Sequence, residues 1–116
     1  MTWCGEEDVS LPHGLGVLRF LPMHGQGLSR SRLRDCAVRI VVRSGGERLK
    51  LAPERPSRTL KNLLRERGVP VWQRGRLPAL SVAGKLAWVA RVGVDCRFAA
   101  RADEPGVMPH WEGAPR

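Results

Sequence analysis

Residues 58–67 read RTLKNLLRER, and residues 68–78 continue GVPVWQRGRLP. At helical spacing Leu60, Leu63 and Leu64 cluster within about 100°, the width of a buried stripe on a surface helix. Ser57 stands where an N-cap is expected, its hydroxyl able to accept from a first-turn amide. Gly68 follows as the left-handed residue that ends such a helix. On the opposite side Arg58, Lys61 and Arg65 fall within about 60° of one another. Like charges at that spacing repel by about a few tenths of a kcal/mol, and no acid precedes Glu66 in the stretch. Folding gains nothing from this face, so a negatively charged partner is the natural user.

Upstream, CAVRIVVR (36–43) is β-branched enough for a strand, and Ser44-Gly45-Gly46 turns it. ERLKL (47–51) alternates as its return, with Leu49 and Leu51 inward and Arg48 and Lys50 outward. Further upstream, DVSLPHGLGVLRFLP (8–22) reads as a hairpin turning at Pro12-His13-Gly14, with Val9, Leu11, Leu15, Val17 and Phe20 facing in. MHGQGLSRSRLRD (23–35) reads as a basic loop or linker. Downstream, Pro70 is placed to start a second short helix carrying Trp72. ALSV and LAWVARVGVD then form a hairpin across Ala83-Gly84-Lys85, with Leu86, Trp88, Ala90, Val92 and Val94 on one face. The expected architecture is α+β: antiparallel β-hairpins packed on one main helix plus a short second helix. The expected organisation is an N-terminal hairpin and basic linker (1–35), a core (36–101), and a tail (102–116) in which VMPHW offers a candidate edge strand.

Charge singles out the middle of the chain. The net charge is +9. Residues 25–76 hold fourteen Lys/Arg against four acids, whereas residues 1–24 hold one against three and residues 77–116 five against four. Solubility does not require such segregation; a polyanion-binding surface does. Arg58, Lys61 and Arg65 are the first candidates for phosphate contact, with Arg48, Lys50, Arg74 and Arg76 extending the surface. Trp72 reads either as a base-stacking platform or as an anchor for its turn.

Other chemistries find little support. The three cysteines, Cys4, Cys36 and Cys96, and the three histidines, His13, His24 and His110, are scattered, without the paired spacing of a zinc site or of a disulfide framework. Ser44-Gly45-Gly46 opens like a pyrophosphate-binding loop, but a strand rather than a helix follows, so it reads as a turn. No catalytic set and no cofactor site is expected in this chain. No run approaches the ~18 apolar residues of a membrane span, and MTWCGEEDVS lacks the basic start and apolar core of a signal peptide. A cytoplasmic location with reduced thiols is the expectation.

The motif order VRSGGERLKLAPERPSRTLKNLLRERGVPVWQRGRLPAL, then GKLAWVARVGVD, resembles the C-terminal domain of bacterial tRNA(Ile)-lysidine synthetase. The resemblance is strong over residues 42–95, looser over LPHGLGVLRF, and absent from 102–116. It implies that this chain is part of a longer ATP-dependent ligase. That enzyme adenylates the wobble cytidine of tRNA(Ile) bearing a CAU anticodon, and L-lysine then displaces AMP to give lysidine. The family's Ser-Gly-Gly-x-Asp-Ser loop belongs to an N-terminal catalytic domain, so ATP and L-lysine are implied there. The resemblance further implies an α+β module that contacts the tRNA body and acceptor stem. In the Trp72–Pro78 motif Gly75 follows Arg74 where the family often has a charged residue, so Arg74 is left to bind phosphate or to hold the turn. The alternative role is a structural domain that packs on the enzyme's own catalytic half, or that mediates a homodimer through exposed tryptophans.

Overall fold

The computed structural model describes residues 2, 3, 5, 7–12, 14–34, 37–42, 48–70 and 76–113. The Ser44–Gly46 turn, the second short helix after Pro70, Trp72 and Arg74 lie outside these residues. Within them the chain is α+β, with antiparallel sheets and one main helix.

Two sheets share one apolar cluster. The larger orders its strands as β1 (Thr2–Trp3), β5 (Val38–Val42), β8 (Pro78–Val82), β9 (Lys85–Val89) and β10 (Gly93–Val94), all antiparallel. The β8–β9 hairpin forms as its sequence expects. Ala83 and Gly84 take φ of 51° and 83°, the double left-handed turn whose twist suits a two-residue connection. Ala79, Leu80, Val82, Ala87 and Val89 are completely buried, so both faces of these central strands are covered. The single apolar face expected for 86–94 is therefore replaced. The strand stops at Val89, the chain turns at Ala90–Val92, and β10 returns along β9 with Gly93 opposite Val89.

The second sheet orders β2 (Asp8–Leu11), β3 (Gly16–His24), β11 (Pro105–Glu112) and β4 (Leu28–Ser29). The β2–β3 hairpin buries Val9, Leu11, Leu15 and Phe20 as expected, but Leu18 takes the core place expected for Val17, which is only half-buried. Strand parity allows one choice, and the larger side chains take the core. Residues 102–116 contribute β11, which pairs with β3 along all eight of its residues and with β4 at Gly106 and Val107. Gly106 makes that crowding possible, because a Cβ there would collide with the Gln26 carbonyl oxygen. Trp3 stacks on Phe20 at 4.6 Å between ring centres, joining β1 of one sheet to β3 of the other.

Two local expectations change. Residues 30–34, read as linker, form helix α1 (Arg30–Arg34), anchored by buried Leu33. The strand β6 (Arg48–Leu49) does not return along β5. It pairs with β7 (Arg58–Thr59) in a separate two-stranded ribbon, because β1 and β8 already occupy the two edges of β5.

Candidate nucleic-acid interface

The ribbon β6–β7 leads directly into helix α2 (Leu60–Glu66). Leu60, Leu63 and Leu64 are buried, as their spacing requires. The N-cap is Thr59, not Ser57: the Asn62 amide donates to Thr59 Oγ1 at 3.3 Å. Ser57 is otherwise engaged, since Arg48 Nε donates to its hydroxyl at 3.1 Å and Arg48 Nη2 to its carbonyl at 2.7 Å. At the other end Gly68 has φ of 71°. Its amide donates to the Arg65 carbonyl at 3.1 Å and the Val69 amide to the Leu64 carbonyl at 3.0 Å. This is a Schellman stop.

Asp95 fixes the ribbon to the larger sheet. It is fully buried and caps a 3-10 turn at Cys96–Phe98. Its carboxylate accepts from the Lys50 amide at 3.0 Å, the Arg97 amide at 2.9 Å, and the Arg97 guanidinium at 3.0 and 2.9 Å. The Cys96 amide donates back to the Lys50 carbonyl at 2.7 Å, and the Asp95 amide to the Ala87 carbonyl at 2.8 Å. Burial alone would push this carboxyl up, but the hydrogen bonds and charge of Arg97 and the Lys50 amide outweigh it and hold the pKa below the ordinary value. The same contact raises Arg97 above its ordinary value.

The candidate cations divide by what they face. Lys61 and Arg65 are exposed on the side of α2 away from its leucines, and neither meets an acid among the described residues. Arg65 donates to Asn62 Oδ1 at 2.6 Å, a neutral partner that fixes its direction and leaves its charge uncompensated. Arg48 is likewise exposed and bonded to neutral Ser57. Arg76 is exposed, and Lys50 is half-buried. Arg58 departs from expectation because it forms an ion pair with Glu66. The two are eight positions apart in sequence, Arg58 in β7 before the helix and Glu66 at its last residue. Arg74 lies outside the described residues.

A second basic site was not singled out in the sequence. A cleft of about 590 Å³ is lined by Arg67, Trp88, Arg91, His110 and Trp111 among others. It gathers the end of α2, the β9–β10 turn and β11. The available signal was weak: Arg67 falls on the leucine side of the helical wheel, and Arg91 interrupts an apolar run.

These features define a class, a small basic α+β module. Among the described residues no group of His, Cys, Asp and Glu is placed to hold a metal ion. The family model of the TilS substrate C-terminal domain matches residues 38–111, and the chain belongs to that family. It is 39% identical over 109 residues to the tRNA(Ile)-lysidine synthase of Azoarcus sp. (strain BH72), covering 94% of this chain and 23% of that protein. The tRNA(Ile)-lysidine synthase of Nitrosomonas europaea is 36% identical over 96% of this chain and 24% of its own length. That of Burkholderia pseudomallei is 39% identical over 99% and 24% respectively. The chain thus spans about a quarter of the length of these relatives. No helix among the described residues is long and apolar enough to cross a membrane.

Proposed function

We propose that this chain is the tRNA-binding domain of a tRNA(Ile)-lysidine synthase. It lays the outer face of α2 against the acceptor stem and body of tRNA(Ile) with a CAU anticodon. A-form RNA is recognised mostly through shape, phosphates and 2′-hydroxyls, which suits a firm cationic surface better than a base-reading loop. Lys61 and Arg65 make the principal phosphate contacts. Arg48 and Arg76 extend them, and Lys50, Arg58 and Arg74 are secondary. The catalytic half of the same enzyme, to which this domain is joined, uses ATP and L-lysine to convert the wobble cytidine to lysidine in the cytoplasm.

The observation that carries this reading is the division of α2 into a buried leucine face and an exposed face. Lys61 and Arg65 stand on the latter without an acidic partner among the described residues. Each phosphate neutralised by such a cation releases counterions, so binding weakens steeply with salt. The test is filter binding of a tRNA(Ile) transcript across a salt series, with wild type and Lys61→Glu/Arg65→Glu. The expected result is a weaker complex with a shallower salt slope in the double variant. Identical curves would overturn the proposal.

A further inference from the structure

The cleft between α2, the β9–β10 turn and β11 has a chemistry unlike the α2 surface. Arg67, Trp88, Arg91, His110 and Trp111 are among the residues that line it, and none of the lining residues carries a carboxylate. The acids beside them in sequence are used elsewhere, Glu66 by Arg58 and Glu112 by Arg19 at 3.2 Å. Among the described residues, positive charge in the cleft is therefore left for an outside ligand.

Its geometry is held in place. Trp111 Nε1–H donates to the Leu15 carbonyl at 2.8 Å, which fixes the plane of the ring. The Arg91 guanidinium carbon lies 5.8 Å from the centre of that ring, within cation–π range. Arg91 itself has φ of 71°, a left-handed conformation that costs a residue with a Cβ and favours glycine. A guanidinium is thus retained over an indole at a position where the backbone alone would select no side chain. The volume, about 590 Å³, lies within the roughly 300–1,000 Å³ of ordinary ligand sites.

We infer that this cleft takes an unpaired nucleotide of the RNA, its base against the Arg91–Trp111 platform and its phosphate between Arg67 and Arg91. Duplex bases are already stacked on one another and cannot enter, whereas single-stranded bases are bound by aromatic rings and guanidinium planes with phosphate contacts alongside. An acidic peptide would satisfy the charges and leave the ring without a matching partner. The 3′ overhang of an acceptor arm supplies the required chemistry next to a duplex. This inference rests on the proposed RNA binding and adds a second contact, one that a duplex lacks.

The experiment measures fluorescence anisotropy of labelled acceptor-stem minihelices with the full chain at one salt concentration. Three RNAs are compared: blunt, with a four-nucleotide 3′ overhang, and with an overhang of abasic sugar-phosphates. Wild type should prefer the natural overhang to both others by about tenfold, the range of one stacked base. Arg91→Gly suits the left-handed backbone; it should abolish the preference, bringing the natural overhang to the affinity of the blunt RNA. Trp111→Phe keeps a stacking face and should retain most of the preference. Equal wild-type affinity for natural and abasic overhangs overturns the inference and leaves duplex binding standing, as does an unchanged preference in Arg91→Gly. Failure of every RNA to bind overturns both readings.

Discussion

The outer face of α2 and the cleft beside Arg91 both present positive charge without an acidic partner among the described residues, built on opposite plans. On α2, Lys61 and Arg65 are neighbours in one short helix, and the surface they form is convex. In the cleft, Arg67, Arg91 and Trp111 come from three separate segments and line an open concavity. A convex row of cations addresses a backbone and is indifferent to what the backbone carries. A concavity with an aromatic wall discriminates by the shape and stacking of what enters. On the proposed reading, the same charge would serve general affinity in one place and selection in the other.

The largest expected effect removes the support of the first surface and spares the second. Asp95→Ala deletes the carboxylate that ties the Lys50 amide to the 3-10 turn. Leaving buried donors unmet should cost about 2–4 kcal/mol of stability, measured as a lower urea midpoint. Hydrogen exchange should accelerate at Arg48–Thr59 before it does along β3 and β11. The same carboxyl makes the domain acid-sensitive. Its pKa is lower in the fold than in the unfolded chain, so its contribution is present above the ordinary carboxylate value and is lost as pH falls through the folded value. Asp95→Asn should flatten that part of the acid limb, and an unchanged limb would contradict the assignment.

Lys61→Glu/Arg65→Glu should weaken tRNA binding by about a hundredfold at moderate salt and reduce the salt slope by about two. The urea midpoint should stay within about 0.5 kcal/mol of wild type, as expected for surface substitutions. Loss of overhang preference in that double variant would merge the two surfaces into one site and break the comparison. Thr59→Ala removes the α2 cap and should cost about 1 kcal/mol, whereas Ser57→Ala should not disturb the helix end; urea titrations of both separate the two candidates. The smallest effect is Glu66→Gln. An exposed pair is worth at most about 1 kcal/mol, so stability should hardly move, while release of Arg58 should raise tRNA affinity severalfold at low salt.

What could be read in advance follows the distance over which the determining contact acts. The leucine stripe of α2, the Gly68 stop and the Ala83–Gly84 turn depend on residues within a few positions, and each forms as its sequence indicates. The partner of β5 does not: Thr2 and Trp3 on one side and Pro78–Val82 on the other exclude the nearer Arg48–Leu49. Thr59 in place of Ser57 is an error of two residues with a nonlocal cause, since the Ser57 hydroxyl is already bonded to Arg48. The Arg58–Glu66 pair lies beyond the three- or four-residue reach by which helical ion pairs are recognised. The cleft was the least legible feature, because its walls exist only once the β9–β10 turn meets β11.

The pairing of Val17–His24 with Pro105–Glu112 has a consequence for biosynthesis. During translation β3 must wait until residues 25–104 have been added before its long partner is made. Throughout that interval one of its edges, flanked by Leu18 and Phe20, is open to the strands of other nascent chains, a known route to aggregation. The last residues of the pairing segment therefore set the moment at which this edge of β3 can be covered.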